Sequence, residues 1–224
     1  MTEQERELPW WHRPHRGEPR WPVTIVVLIV IVLQLLLPKD LTFRYTWVWC
    51  LVEAVLLAGV TLLNPRRIDA HLEIPRRISL VLTVFMTVAN LVSVVLLVNQ
   101  LLNRGVSDAR SLLLSGGSIW LTNMVVYALW YWEFDRGGPG ARAEAKYHVP
   151  DFMFPQMSDP DLAAPHWAPS FFDYLFTSYT NSSAFSPTDV LPLTRWAKAL
   201  MMAQSMTSLG VVVLVVARAV NILH

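Results

Sequence analysis

Apolar residues in this chain fall into long unbroken blocks joined by short polar stretches, and one later segment mixes the two at helical spacing. The first block runs from Pro22 to Leu37, reads VTIVVLIVIVLQLLL at its heart with Gln34 near its end, and is closed by Pro38 and Lys39. The second, Tyr45 to Leu63, opens on Trp47 and Trp49 and carries Glu53 inside it. A third runs from Ile78 to Leu102, and a fourth, roughly Leu112 to Trp132, closes on the aromatic string YALWYWEF. The last block follows Arg195 and ends at Leu223. A helix needs about 20 mostly apolar residues to cross a bilayer, so each block predicts a spanning helix.

The segment from Pro169 to Phe185 has a different pattern. On a helix, Phe172, Leu175, Phe176 and Tyr179 share one side, and Asp173, Thr177 and Thr180 share another. Such a segment is too polar to face lipid all round and fits only inside a bundle or against water. The polar turn and long apolar helix that follow predict a hairpin that re-enters on one side of the membrane, with a sixth span as the alternative. The pattern therefore predicts an all-α integral membrane protein. It has five transmembrane helices plus one re-entrant or sixth helix, a pore-loop-like hairpin, before the last span. The chain divides into a polar N-terminal tail (1–21), a four-helix transmembrane region (22–132), a long Pro/Gly-rich surface loop (133–168), and the hairpin with the final helix (169–224).

Composition agrees: 54% of residues are hydrophobic and 16% charged, against about 25% charged in a soluble domain. Net charge is +1, which gives no case for a nucleic-acid partner; the bilayer itself is the expected partner. Cys50 is the single cysteine, so no intrachain disulfide is possible. The tail has no signal-peptide pattern and is expected to be retained and mobile, with Trp10, Trp11 and Trp21 at the headgroup level. His12 and His15 are too few for a metal site. In residues 133–168, Gly and Pro exclude regular structure over most of the length. Phe152, Phe154, Met157 and Trp167 are nevertheless not the composition of a disordered linker. That loop is expected to fold against the membrane surface or a neighbouring subunit.

Basic residues set orientation. Arg6, Arg13, Arg16, Arg20, Arg66, Arg67, Arg76 and Arg77 fall on one side, against Lys39, Arg44, Arg104 and Arg110 on the other. This predicts a protein of the cell membrane with a cytoplasmic N-terminus and a cytoplasmic long loop.

Candidate chemistry is sparse. Glu53 reads as an ion or proton site, or else as an interhelical hydrogen bond or a protonated acid near the interface. Asn90, Ser93 and Asn99 are expected as helix-packing contacts, and Gly116 and Gly117 as a close helix approach or a kink. The run Asp135 to Gly138 reads as a helix-ending turn with a local Asp–Arg contact, or as an anion-binding turn. No phosphate-binding glycine loop, metal-ligand cluster or nucleophile motif is visible, so no enzymatic activity and no cofactor is expected.

From Phe171 on, FFDYLFTSYTNSS is followed by Asp189, Pro192 and Thr194. A helix then begins with Arg195, Trp196 and Lys198 and ends LVVARAVNIL. This stretch resembles the pore module of two-helix, pore-loop ion channels of the potassium-channel type. The family has an aromatic pore helix, a post-filter Asp, Pro and Thr, and an inner helix at those places. The filter position is degenerate: residues 183–188 contain no glycine, and Pro187 fixes its own φ, so carbonyl-ring selectivity for potassium is not expected. In that family the hairpin enters from outside, whereas the charge count places it inside. From Asn123 onward the chain is also similar to a set of uncharacterised bacterial multi-pass membrane proteins. Shared features are an aromatic helix end, a GG loop, a Pro–Asp-rich segment and an AFSPTDVLPLTR-like turn; that likeness implies no activity.

The resemblance implies an ion-channel-like pore of weak cation selectivity, a homo-oligomer (a tetramer if channel-like) passing monovalent cations. Thr180, Asn181, Ser182, Ser183, Ser186, Thr188 and Asp189 would line it. The alternatives are a non-conducting assembly or scaffold protein that inherited the hairpin, and a small transporter using Glu53.

Overall fold

The computed structural model describes residues 8–42, 45–63, 73–103, 108–183 and 189–223. Apolar blocks without interior proline wind into helices, since in hydrocarbon every backbone N–H and C=O must find a partner within its own segment. The longer helices are α1 (Trp21–Leu36), α2 (Thr46–Leu63), α3 (Glu73–Asn103), α4 (Ala109–Phe134), α5 (Phe171–Ser183) and α6 (Arg195–Leu223). Among the described residues, four stretches are long and apolar enough to cross a membrane: Thr46–Leu63, Ile74–Asn103, Ala109–Gly137 and Arg195–Ile222. The chain is thus an all-α protein built for a membrane. The first predicted span forms at its expected length but is short for a crossing, for α1 has 16 residues. At 1.5 Å per residue it is about 24 Å long, against a hydrocarbon core of about 30 Å.

Two helix starts show local chemistry. Asp108 caps α4, accepting from the backbone N–H of Arg110 and of Ser111, both at 3.1 Å. Helix α3 begins at Glu73, five residues before the expected Ile78, so Arg76 and Arg77 lie on its first turns and not in a loop. Pro75 permits this, because an N–H at the first turn has no intrahelical acceptor in any case.

Helix α4 is the hub, in contact with α1, α3, α5 and α6. Gly116 lets α6 come close: a Cβ added there would lie 2.7 Å from one methyl of Val215. Apolar side chains bury in two clusters. One gathers Val27, Val30, Met86, Leu129 and Trp132 with Ala197; the other gathers Leu97, Leu112, Ile119, Val211 and Val215.

One end of the bundle carries a cap, and here the structure departs most from expectation. The long loop folds onto its own chain. Phe152 and Phe154 are buried, and the Phe152 ring packs against those of Tyr131 (4.9 Å), Trp196 (5.6 Å) and Tyr174 (6.4 Å). Short helices at Pro139–Ala143 and Pro155–Ser158 and a strand, β1 (Phe152–Met153), interrupt the irregular backbone. β1 pairs antiparallel with β2 (Leu191–Pro192). The N-terminal stretch from Leu8 to Arg20 is an ordered strap, not a free tail. Trp11 is buried, its ring 5.7 Å from that of Trp167. Glu18 accepts from Trp132 Nε1 at 2.9 Å and from the Phe171 N–H at 3.0 Å. Of the three tryptophans expected at headgroup level, Trp21 alone is exposed.

Helix α5 leaves this cap and descends beside α4. Its first residue, Phe171, lies edge-on to Trp132 at 5.8 Å, and near its end the Ser182 carbonyl accepts from Trp120 Nε1 at 3.4 Å. The chain is next described at Asp189, and by Leu191–Pro192 it is back at the cap, paired with β1. Both ends of the segment 171–192 therefore lie at one end of the bundle.

Candidate functional site: the polar layer around Gln204

The inward face of α6 reads Ala197, Met201, Gln204, Ser208, Val211, Val215 and Ala219, all buried at helical spacing. Two of these seven are polar. They lie between the two apolar clusters and build a layer of hydrogen bonds across the helices. Gln204 Nε2 donates to the Ser178 carbonyl (2.9 Å), to Ser178 Oγ (2.6 Å) and to Ser182 Oγ (2.6 Å). Its Oε1 accepts from the Tyr131 hydroxyl at 2.5 Å and from Asn181 Nδ2 at 2.8 Å. One turn along, Ser208 Oγ accepts from Asn123 Nδ2 at 2.9 Å, and Asn123 Oδ1 accepts from Asn90 Nδ2 at 3.0 Å. The layer so joins α3, α4, α5 and α6. Asn90 is an interhelical contact as expected, whereas Asn99 accepts from Asn103 within its own helix.

The side chains proposed to line a pore divide here. Thr180 Oγ1 donates to carbonyls of its own helix, those of Phe176 and Thr177, and Ser183 Oγ donates to the Thr180 carbonyl. Asn181 donates to the Met201 carbonyl (2.9 Å) and accepts at Oδ1 from Ser205 Oγ (3.1 Å). Ser182 is buried against Gln204. Asp189 is exposed, and Ser186 and Thr188 lie outside the described residues. The two faces of α5 exist as expected, and their placement is now clear: Phe172, Phe176 and Tyr179 face outward, each at least half exposed, while Tyr174, Thr177, Ser178 and Thr180 face the bundle.

Sequence reasoning missed Gln204, Ser208, Tyr131 and Ser178 as members of the layer. A signal was present: Gln204 and Ser208 are the i, i+4 polar pair on the apolar face of the last helix.

Glu53, on α2, is fully buried. Its Oε1 accepts from Gln34 Nε2 of α1 at 3.3 Å, and Gln34 Oε1 faces Cys50 Sγ at 3.8 Å. Glu53 Oε2 has no hydrogen-bond partner. The interhelical reading of Glu53 thus describes its contact.

The cap holds the hairpin through charge. Asp135 Oδ1 accepts from the N–H groups of Asp151 (2.8 Å) and Phe152 (3.2 Å). Its Oδ2 accepts from the Tyr174 hydroxyl (2.6 Å) and Arg136 Nε (3.2 Å). The backbone turns sharply through Arg136 (φ 49°), Gly137 (φ 79°) and Gly138 (φ 95°). The turn is thus the helix-ending kind with a local Asp–Arg pair. Arg142 donates to the Trp132 and Asp135 carbonyls and to Glu18 Oε1, at 2.6, 3.0 and 3.0 Å. Burial alone disfavours the Arg142 charge, but Tyr174, Glu18 and Asp135 outweigh it and hold the pKa above its ordinary value. His12 of the strap is the reverse case: burial, with His148 and Arg136 nearby, lowers its pKa below the usual 6.5.

Among the described residues no group of three or more His, Cys, Asp or Glu side chains is placed to hold a metal. No family model matches this chain, and no match is found among curated proteins or solved structures.

Proposed function

We propose that the chain is a multi-pass protein of the cell membrane whose α4–α5–α6 unit acts as an ion-channel-like pore module. It passes monovalent cations with weak selectivity as a homo-oligomer. The observation that carries this reading is the course of residues 171–192, which leave the cap, descend beside α4 and return to it. In a bilayer that course is a re-entrant hairpin, with α1, α2, α3, α4 and α6 as five crossings. Backbone of this kind is tolerated at membrane depth where it is buried in protein or lines water. The arginines of the strap and of the first turns of α3 support a cytoplasmic side for the cap. The hydroxyls and amide of Thr180, Asn181, Ser182 and Ser183 are committed within the protomer. Selectivity therefore falls to exposed Asp189, whose charge favours cations.

A second reading, a non-conducting assembly protein, is favoured by that same commitment of the polar face of α5. Reconstitution in liposomes separates the two. Under potassium, sodium and proton gradients, wild type conducts and Asp189→Asn lowers cation flux several-fold, with the protein still folded. A folded oligomer that passes none of the three ions sinks the channel reading and leaves the second.

A further inference from the structure

Charges buried at the cap pair off unevenly. Arg142 bonds Glu18 at 3.0 Å and Arg136 bonds Asp135 at 3.2 Å. Glu133, in the last turn of α4 and 1% exposed, then remains as a buried carboxylate within electrostatic reach of Arg76, Arg142 and Arg20. Ser79 donates its hydroxyl to Glu133 Oε1, while Glu133 Oε2 has no hydrogen-bond partner. Arg20, the last residue of the strap, is 7% exposed and its Nε makes no hydrogen bond. Arg76 is exposed on the first turn of α3 and lies across Gly138. A Cβ built on Gly138 would sit 3.4 Å from Arg76 Nε and 2.8 Å from the Glu133 carbonyl oxygen. Glycine, at φ +95°, leaves the room that brings the guanidinium there.

Arg20 and Arg76 thus both carry charge near Glu133, and Arg20 is more than nine-tenths buried with its Nε unpartnered. A buried guanidinium N–H without an acceptor is costly, and a guanidinium fork suits the paired oxygens of a phosphate. Location supplies the second argument. Helix α3 has 31 residues, about 46 Å, so a crossing leaves its first turns at headgroup level. Trp21, next to Arg20, is 59% exposed, and its ring meets exposed Phe172 at 6.3 Å, an aromatic pair of the kind that marks the membrane–water boundary.

We propose that Arg20 and Arg76, with Glu133 behind them, form a binding site for a phosphate oxyanion, carried by an anionic lipid headgroup or by a free phosphate. The site is independent of conduction and stands or falls without the pore reading. Its test is thermal unfolding of the detergent-purified full chain with added phosphatidylglycerol, phosphatidylcholine or inorganic phosphate. Phosphatidylglycerol is expected to raise Tm by about 3 °C or more, well beyond phosphatidylcholine. Arg20→Gln and Arg76→Gln abolish the rise, while Arg110→Gln, at the far end of the bundle, retains it. A comparable rise with inorganic phosphate, lost in the same two variants, assigns the site to the free anion. Should Arg20→Gln fail to fold, Arg20→Lys keeps the charge and loses the fork, and native mass spectrometry then reads lipid retention. A rise of equal size in the Arg76→Gln variant, or no rise with any phosphate, overturns the proposal.

Discussion

Gln204 and Ser178, 26 positions apart, are joined by two hydrogen bonds: the Gln204 amide nitrogen donates to both the carbonyl and the hydroxyl oxygen of Ser178. The same nitrogen reaches Ser182, and the amide oxygen accepts from Tyr131 and Asn181. One side chain of α6 therefore fixes the depth of α5 against α4. Gln204→Leu leaves those partners unsatisfied in an apolar interior, where each orphaned group costs about 1–3 kcal/mol. Partial rescue by new partners keeps membrane values near the low end. The expected loss is about 1–3 kcal/mol in reversible detergent unfolding, with Gln204→Asn intermediate.

Asp135 anchors the cap by accepting four hydrogen bonds, one of them from the Arg136 guanidinium. Asp135→Asn removes the charge opposite a buried arginine and is expected to cost about 3–5 kcal/mol. Tyr174→Phe, which removes one of the four bonds, costs about 1 kcal/mol. Denaturant titration followed by tryptophan fluorescence orders the two variants; equal losses would argue that the carboxylate charge is unimportant.

Neighbouring glycines on α4 are expected to respond in opposite directions. At Gly116 an added methyl would meet Val215 at 2.7 and 2.9 Å, whereas at Gly117 it would meet nothing within 4 Å. Overpacking costs about 1–3 kcal/mol, more than the roughly 1 kcal/mol a helix gains from Gly→Ala. Gly116→Ala therefore lowers Tm and Gly117→Ala raises it slightly. Adding Val215→Ala to Gly116→Ala restores part of the loss.

His12 makes the strap sensitive to acid. Its pKa is lowered in the folded protein, so the unfolded state binds the proton more readily. Stability is intact above the ordinary value of 6.5 and falls as pH drops through it toward the folded pKa. Proteolysis within residues 8–20 should accelerate between pH 7.5 and pH 5, and His12→Gln should flatten that dependence.

Much of the helical layout was legible because apolar blocks near the length of a bilayer leave few alternatives to a helix. The two-faced character of α5 was legible for a similar reason, since Phe172, Phe176 and Tyr179 recur at helical spacing opposite Thr177 and Thr180. Which face turns inward was not. Spacing separates a polar from an apolar side, but in a membrane the polar side seeks partners, and those partners are Gln204 and Tyr131 on other helices. Helix α3 starts before its apolar block because its polar first turns carry no hydrophobic signal, and Pro75 is tolerated there as a first-turn residue.

Burial in hydrocarbon acts on each segment separately, so the apolar blocks alone specify an all-α protein made for a membrane and where its apolar helices lie. That the strap and the long loop form one cap on the protein's own helices emerges in the folded chain alone. The same holds for the return of Leu191–Pro192 to that cap. Those outcomes rest on pairs far apart in the chain, such as Glu18 with Phe171 and Phe152 with Pro192. Such a pair reveals itself only when both members are already in place.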